Sequence, residues 1–188
     1  MKPRILPQSR MPESRVQALH AYYELTKPRG VALIVFTAIV GMFLSADEMV
    51  PLPVLVSSVL GIGLSAASGS AFNHVLDQRT GRVMARTVGR RLPSGRVDGI
   101  RALVFAAVLA VGSMILLVTQ VNALTAVLTF VALIGYAVIY TLWLKHATSQ
   151  NIVIGGAAGA MSPVLGWTAV TGNLAPDALL LFLIIFCW

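Results

Sequence analysis

The chain has 188 residues, of which 57% are hydrophobic and 11% are charged, and its mean hydropathy is +0.83. Soluble domains carry about 25% charged residues, so this composition excludes a soluble globular domain and predicts an integral membrane protein. The net charge of +7 is confined to a few segments, which speaks against a nucleic-acid partner, and the single cysteine excludes an internal disulfide.

The first 29 residues are polar and basic, and they lack the apolar core of a cleaved signal peptide. Within them, residues 16–25 could form a short helix at the membrane surface. Lys27, Pro28 and Arg29 mark the entry to the first span, because proline is tolerated in the first turn of a helix. We interpret residues 1–29 as a basic cytoplasmic segment and residues 30–188 as part of a membrane domain.

The apolar runs predict an all-α integral membrane protein, a multi-span helical bundle with five complete spans and part of a sixth. The spans are expected at about 30–46, 53–76, 100–119, 123–144, 152–171 and 178–188. The sixth run has only 11 residues, whereas a span needs about 20. We therefore expect the sequence to be an N-terminal fragment of a longer protein. In the fifth span, Gly155 and Gly159 have the GxxxG spacing of closely packed helices, and Pro163 predicts a kink.

The basic residues predict how the spans are oriented. All 14 Lys and Arg residues lie before the first span, in residues 77–101, or at Lys145 after the fourth span. The intervening loops at 47–52, 120–122 and 172–177 contain none and hold Asp47, Glu48 and Asp177. This pattern follows the positive-inside rule and predicts a multi-pass protein of a bacterial-type inner membrane with a cytoplasmic N-terminus.

Polar side chains collect at the end of the second span, where Asn73 and Asp77 lie four residues apart and share one helix face. That face continues through Gly61, Ser65 and Gly69, whose small size allows close helix packing. A carboxylate and an amide followed by arginines suit a Mg²⁺-bound diphosphate. The alternative is that Asp77 is a solvated residue at the membrane surface, where charges are tolerated.

The basic residues after Asp77 are candidates for binding the anion itself. We assign Arg86 and Arg90 to the diphosphate, which requires the helix to end or bend near a glycine such as Gly81. Lys27 and Lys145 lie at the same membrane surface and could help. Retention of positive charge on the cytoplasmic side explains several of these residues equally well.

The chain resembles the UbiA superfamily of intramembrane prenyltransferases from about residue 22 to residue 188, and within it the members that farnesylate haem B. The resemblance is carried by the segments YYELTKPRGVALIVFTAIVGM, AFNHVLDQR, VMARTVGRRLPSGRV and YTLWLKHATSQNIVIGGAAGA. It implies a bundle of nine membrane helices around a central cavity, in which two Asp-rich motifs hold Mg²⁺ on farnesyl diphosphate.

The resemblance also assigns roles to particular residues. Asn73 and Asp77 match the first Asp-rich motif as metal ligands, and Arg86 and Arg90 match its basic tail. Lys27 and Lys145 match basic positions near the diphosphate. Gly81 stands where the family has a second Asp of this motif, and the second motif is expected beyond the end of this sequence.

The implied reaction joins the farnesyl group to the 2-vinyl carbon of haem B, and water quenches the resulting cation to give haem O. The implied partners are haem B, farnesyl diphosphate, the lipid bilayer, and haem A synthase or a terminal oxidase in assembly. Residues 1–188 alone are expected to be inactive. Two alternatives are a prenyltransferase acting on a quinone-precursor ring and a non-enzymatic membrane protein or inactive remnant.

Overall fold

A computed structural model describes the backbone of residues 15–81, 99–137 and 151–187, and the side chains of residues 19–76, 99–137 and 155–187. The described residues form α-helices and no β-strand. In chain order the helices are α1 Arg15–Leu25, α2 Pro28–Ser45, α3 Leu52–Gly81, α4 Gly99–Gln120, α5 Ala123–Ile134, α6 Asn151–Thr171 and α7 Pro176–Cys187.

Three helices in the described part of the chain are long and apolar enough to cross a membrane, namely α2, α3 up to Leu76, and α4. Their outer faces carry large apolar side chains that no part of the described structure covers. On α4 these include Val104, Val108, Val111 and Ile115, each at least 57% exposed. Residues at this spacing share one face of a helix, so the stripe suits contact with lipid tails.

The helix bounds differ little from the expected spans, with one exception in the fourth. The α-helical part of α5 ends at Ile134, and a π-helical turn follows over residues 135–137. The remainder of that span, 138–144, lies outside the described residues. π-Turns within helices are rare and often occur at functional sites, and this one includes Tyr136, whose position is described below.

Glycines bring α2 and α6 into close contact. A Cβ placed on Gly41 would collide with the carbonyl oxygen of Pro163, and one placed on Gly166 would collide with the carbonyl oxygen of Ala38. The two backbones therefore approach more closely than any larger residue would permit. Among the described residues, a Cβ on Gly159 would meet nothing within 4 Å, so this glycine of the GxxxG spacing makes no close helix contact there.

Hydroxyl groups join α3 to α4. The Ser68 hydroxyl donates to the carbonyl of Ala106, and the Ser113 hydroxyl donates to the carbonyl of Gly61, both at 2.7 Å. All four residues are buried, and Gly61 also lies against the side chain of Leu117. These bonds satisfy polar side chains where the lipid could not. They hold α3 against α4.

An asparagine joins α5 to α6 at the other end of the bundle. The Asn122 side-chain oxygen accepts from the Thr125 amide at 2.8 Å and so caps α5. Its side-chain amide donates to the carbonyl of Thr168 at 2.9 Å, and the Thr125 and Thr168 hydroxyls lie 3.0 Å apart. One side chain thus caps one helix and fixes its neighbour.

Candidate functional site

A cavity of about 310 Å³ lies among α2, α3, α5 and α6. At the end that we call the mouth it is lined by Thr26, Lys27 and Gly30, and at the opposite, deep end by Ile62 and Leu165. Apolar and small side chains make up most of the wall between them. Ile62 and Leu165 belong to a buried core cluster that closes the structure beneath the deep end.

Lys27 stands at the mouth in an unusual backbone conformation. Its φ of 49° and ψ of 65° are left-handed, and among the described residues it is the one non-glycine residue with positive φ. The turn is held by bonds from the Lys27 amide to the Glu24 carbonyl at 3.2 Å and from the Gly30 amide to the Lys27 carbonyl at 2.9 Å. Such conformations are uncommon outside glycine and concentrate at functional sites.

The mouth adjoins a surface pocket of about 390 Å³ that shares Lys27 and Gly30 with the cavity. His20, Glu24 and Arg29 line this pocket, and the His20 ring nitrogen Nδ1 lies 3.3 Å from a Glu24 carboxylate oxygen. Both side chains are well exposed, so we attach no stability to the pair. The lysine at the junction and the arginine beside it give the entrance a positive character.

The row of small residues on α3 has two different uses. Gly61 packs against α4, whereas Ser65 and Gly69 line the cavity. Asn73 follows one turn later on the same helix and is 5% exposed, but it is not among the described residues of the cavity wall. The amide that was assigned to the site therefore lies just beyond the described cavity.

Several of the predicted site residues lie outside the described part of the structure. The backbone at Asp77 belongs to α3, one helical turn after Asn73, but its side chain is not described. Arg86, Arg90 and Lys145 lie entirely outside the described residues. The helix is described as far as Gly81, and the bend or end expected near Gly81 or Gly89 falls at or beyond this limit of the described residues.

The described residues do not form a metal site made of protein ligands alone. They contain no group of three or more His, Cys, Asp or Glu side chains that could hold an ion. Mg²⁺ does not need such a cage, because it keeps several waters and is bound by one or two carboxylates together with substrate phosphates. The described backbone places Asp77 one helical turn after Asn73 at the end of α3, and a carboxylate is the residue type that this second kind of site uses.

The cavity wall includes residues that the sequence did not single out. On α5 these are Thr129, Ala132, Leu133 and Tyr136, and the Tyr136 ring lies 3.3 Å from where a Cβ on Gly69 would stand. Their spacing of three and four residues is a signal for one helix face. Because the whole segment is apolar, that periodicity could not separate the side facing the cavity from the side facing lipid.

These features define a class of protein. It is a helical membrane protein with an apolar interior cavity that opens beside Lys27, and the buried Asn73 lies one helical turn beyond the cavity wall. Residues 34–188 match the UbiA prenyltransferase family. The chain belongs to this family, and the predicted all-α multi-span fold is confirmed as that of a part of such a protein.

Curated relatives agree with this family. The chain is 53% identical over 181 residues to a protein of Shewanella pealeana and 58% identical over 167 residues to one of Nitrosococcus oceani, both named protoheme IX farnesyltransferase. These matches cover 95% and 89% of this chain. They cover 60% and 56% of the relatives, so the chain spans rather more than half of their length. No solved structure matches this chain.

Proposed function

We propose that the complete gene product transfers a farnesyl group from farnesyl diphosphate to the vinyl group of haem B, giving haem O. The observation that carries this proposal is the cavity, whose wall is apolar and whose mouth presents Lys27. An apolar chain with an anionic head fits a cavity with this polarity. The name protoheme IX farnesyltransferase, borne by relatives at 53% and 58% identity, supplies the acceptor and the group transferred.

The diphosphate would bind at the mouth. Lys27 offers an ammonium group there, and Asn73 and Asp77 lie at the same end of α3. We assign Arg86, Arg90 and Lys145 to the same anion, because a diphosphate leaves readily only when its developing negative charge is neutralised. Arginine suits this role because its planar guanidinium can form two parallel bonds to a phosphate.

A divalent cation, Mg²⁺, would complete the diphosphate site. Asn73 and Asp77 would hold it together with the phosphates of the substrate. When bound, Mg²⁺ neutralises the charge that develops on the departing diphosphate.

The wall of the cavity would protect the reactive farnesyl group. Departure of the diphosphate leaves an allylic cation, which any nearby water would capture. The described wall is formed by side chains such as Val31, Ile34, Ile62 and Leu165, which exclude water from that part of the cavity. Gly155 and Gly159 also line it, and their lack of side chains leaves room for a flat macrocycle beside the farnesyl chain.

The proposed orientation places the mouth of the cavity in the cytoplasm. Lys27 and the arginine-rich segment after α3 would then face the compartment in which farnesyl diphosphate dissolves. We place the protein in a bacterial-type inner membrane. There it could pass its product to haem A synthase or to a terminal oxidase in assembly.

The test is a transfer assay with the complete gene product in membranes that make no haem O of their own. Haem B, labelled farnesyl diphosphate and Mg²⁺ are supplied, and the label is measured in the haem fraction. We expect label in a product with the mass of haem O, and none when Mg²⁺ is chelated. Membranes that contain the protein but leave haem B unchanged would overturn the proposal.

Residues 1–188 alone should insert into membranes without forming haem O. The chain supplies one half of the expected diphosphate site, already short of the carboxylate that Gly81 replaces, and loss of a single electrostatic stabiliser reduces rates by about 10²–10³. Comparison with the complete gene product in the same assay tests this. Turnover by residues 1–188 at a similar rate would contradict it.

A further inference from the structure

The cavity is elongated and runs along four helices. Each of these helices supplies wall residues three and four positions apart, which is the spacing of one helix face. On α3 the wall extends from Ile62 to Ser70, and on α6 it extends from Gly155 to Leu165. At 1.5 Å per residue, these two stretches show that the wall is about 12–15 Å long from the deep end to the mouth.

The deep end of the cavity is closed by two apolar side chains that we call the floor. They are Ile62 of α3 and Leu165 of α6, which are 1% and 5% exposed and belong to one buried core cluster. Immediately beyond the floor, α2 and α6 touch through their backbones, because Gly166 follows Leu165 and lies against the carbonyl of Ala38. Backbone atoms cannot turn aside as a flexible side chain can, so the floor resists an occupant that is too long.

The length of the wall matches a chain of three isoprene units. A polypeptide advances by about 3.3–3.6 Å for every three backbone bonds, so the four main-chain bonds of an isoprene unit add about 4.5 Å. By the same measure three units span about 13 Å and four units span about 18 Å. With a diphosphate bound at Lys27, three units reach the floor and a fourth does not fit.

A chain of two units would fit the cavity but would bind less tightly. It spans about 9 Å, so it would stop short of Ile62 and Leu165. The apolar contribution to binding grows with the area removed from water, and side chains that line an unfilled space lose contacts that an occupant would make. The floor therefore excludes longer chains, and the wall above it favours the chain that fills the cavity.

We propose that the floor formed by Ile62 and Leu165 sets the length of the prenyl chain, so that the cavity selects three isoprene units and rejects four. This inference rests on the part of the proposed function that binds the diphosphate at the mouth. Ile62 and Leu165 are then specificity-determining residues. They contact the last isoprene unit, at the end of the cavity opposite the bond that breaks.

The preference for chain length is measured by displacing labelled farnesyl diphosphate from the complete gene product in lipid nanodiscs without haem. The competitors are unlabelled diphosphates with two, three and four isoprene units, and empty nanodiscs correct for partition into lipid. We expect four units to bind more weakly than three by about tenfold or more, as when an apolar pocket discriminates against added carbons. Equal displacement by three and four units would overturn the proposal.

Removal of part of the floor should relax this preference. Ile62→Ala opens space below the last isoprene unit, so the preference for three units over four should fall severalfold. Leu117→Ala is the matched control, because Leu117 is an equally buried aliphatic residue that packs against Gly61 and is not part of the described cavity wall. The control should keep the original preference. An Ile62→Ala protein that binds farnesyl diphosphate with the original preference would refute the role of the floor.

A second pair of variants tests the proposal without emptying the core. Gly159 lines the cavity six residues before Leu165, and a Cβ there meets no described atom within 4 Å. Gly159→Val adds a side chain about 9 Å above the floor, so the preference should shift severalfold toward two units. Gly156→Val is its control, because a Cβ on Gly156 also meets nothing within 4 Å and Gly156 is not part of the described wall. The same preference in both variants would contradict the proposal.

These measurements separate the inference from the proposed function. Selective binding of three units by a protein that forms no haem O in the transfer assay would support the floor and refute the proposed function. Formation of haem O by a protein whose chain-length preference is the same in every variant would do the reverse. Failure of labelled farnesyl diphosphate to bind at all would overturn both.

Discussion

Lys27 shows how a single residue can set the polarity of a site. Its left-handed backbone lets α1 and α2 meet in a tight turn and puts a positively charged residue at the mouth of an otherwise apolar cavity. Glycine would adopt this conformation without strain. A lysine that occupies it instead points to a use for the side chain, and the proposed use is to bind the diphosphate.

Asp77→Ala in the complete gene product should abolish formation of haem O without loss of membrane insertion. The physical reason is that residue 81, one helical turn after Asp77, is a glycine, so no carboxylate at that position can take over the metal. We expect a fall in rate of at least about 10²-fold, as when one electrostatic stabiliser is removed. Haem O is measured in membranes that contain equal amounts of each protein.

Asp177→Ala is the matched control for this substitution. Asp177 is an exposed carboxylate at the start of α7, and the proposed topology puts it on the face of the membrane opposite the proposed site. Its removal should leave the rate unchanged. Near-normal conversion by the Asp77→Ala protein would show that Asp77 is not the metal ligand.

The sequence predicted part of the candidate site. The spacing of Ser65, Gly69 and Asn73 indicated one helix face, and Ser65 and Gly69 do line the cavity. The sequence did not predict that Thr129 and Ser162 line the cavity, because hydroxyl side chains are common within apolar helices. Only the packing of the helices shows that both residues line the cavity. The assignments of Asn73, Asp77, Arg86, Arg90, Lys27 and Lys145 to the diphosphate stay predictions.

Among the helices, the close contact between α2 and α6 limits the extent of the cavity. Gly41 and Gly166 let the two backbones touch below its deep end. The sequence indicated close packing from the GxxxG spacing of Gly155 and Gly159, whereas both glycines line the cavity. A glycine can allow a neighbouring helix to pack closely, or it can leave space for a ligand. Spacing alone does not distinguish these two roles, because both depend on the lack of a side chain.

Gly166→Ala should destabilise the protein, whereas Gly112→Ala should not. An added Cβ at residue 166 would strike the Ala38 carbonyl, which is backbone and cannot swing aside. Overpacking of this kind costs about 1–3 kcal/mol. At residue 112 a Cβ meets nothing within 4 Å, and alanine is the better helix former by about 1 kcal/mol. Thermal unfolding in nanodiscs gives both values, and equal midpoints for the two variants would contradict the packing described.

The helices themselves were largely predictable, because runs of apolar residues bounded by proline, glycine and charge leave few other possibilities in a membrane. The residue at which the α-helical part of α5 ends could not be predicted from the sequence. The sequence stays apolar beyond Ile134, so hydropathy cannot mark the change to a π-helical turn. At that turn the Tyr136 ring lies against Gly69 of another helix, a contact between distant parts of the chain that hydropathy does not report.

The whole molecule presents apolar faces over much of its described surface, as expected for a helical bundle in lipid. The chain spans rather more than half of the length of its curated relatives. Its described helices already enclose a cavity on four sides. This part of the family's fold therefore contains both the candidate diphosphate site and the apolar cavity next to it.

The proposed topology predicts which side of the membrane each loop faces. A cysteine introduced by Ser94→Cys should react only with reagents that reach the cytoplasm, and one introduced by Asp47→Cys should react from the outer side. The experiment uses residues 1–188, in which the one native cysteine, Cys187, is first replaced by alanine so that only the new thiol reacts. The physical reason is the retention of every lysine- and arginine-containing segment on one side. Labelling at residue 94 by an impermeant reagent from outside would reverse the topology.

The central claim is that a prenyl diphosphate occupies the cavity described here, and photocrosslinking tests it most directly. A farnesyl diphosphate analogue with a photoreactive group at its apolar end is added to membranes that contain the complete gene product, and labelled peptides are mapped by mass spectrometry. We expect labels on the cavity wall, within residues 62–70 or 158–165, and their loss when excess farnesyl diphosphate competes. Labels confined to the lipid-facing stripe at Val104 and Val108, unaffected by the competitor, would contradict the account.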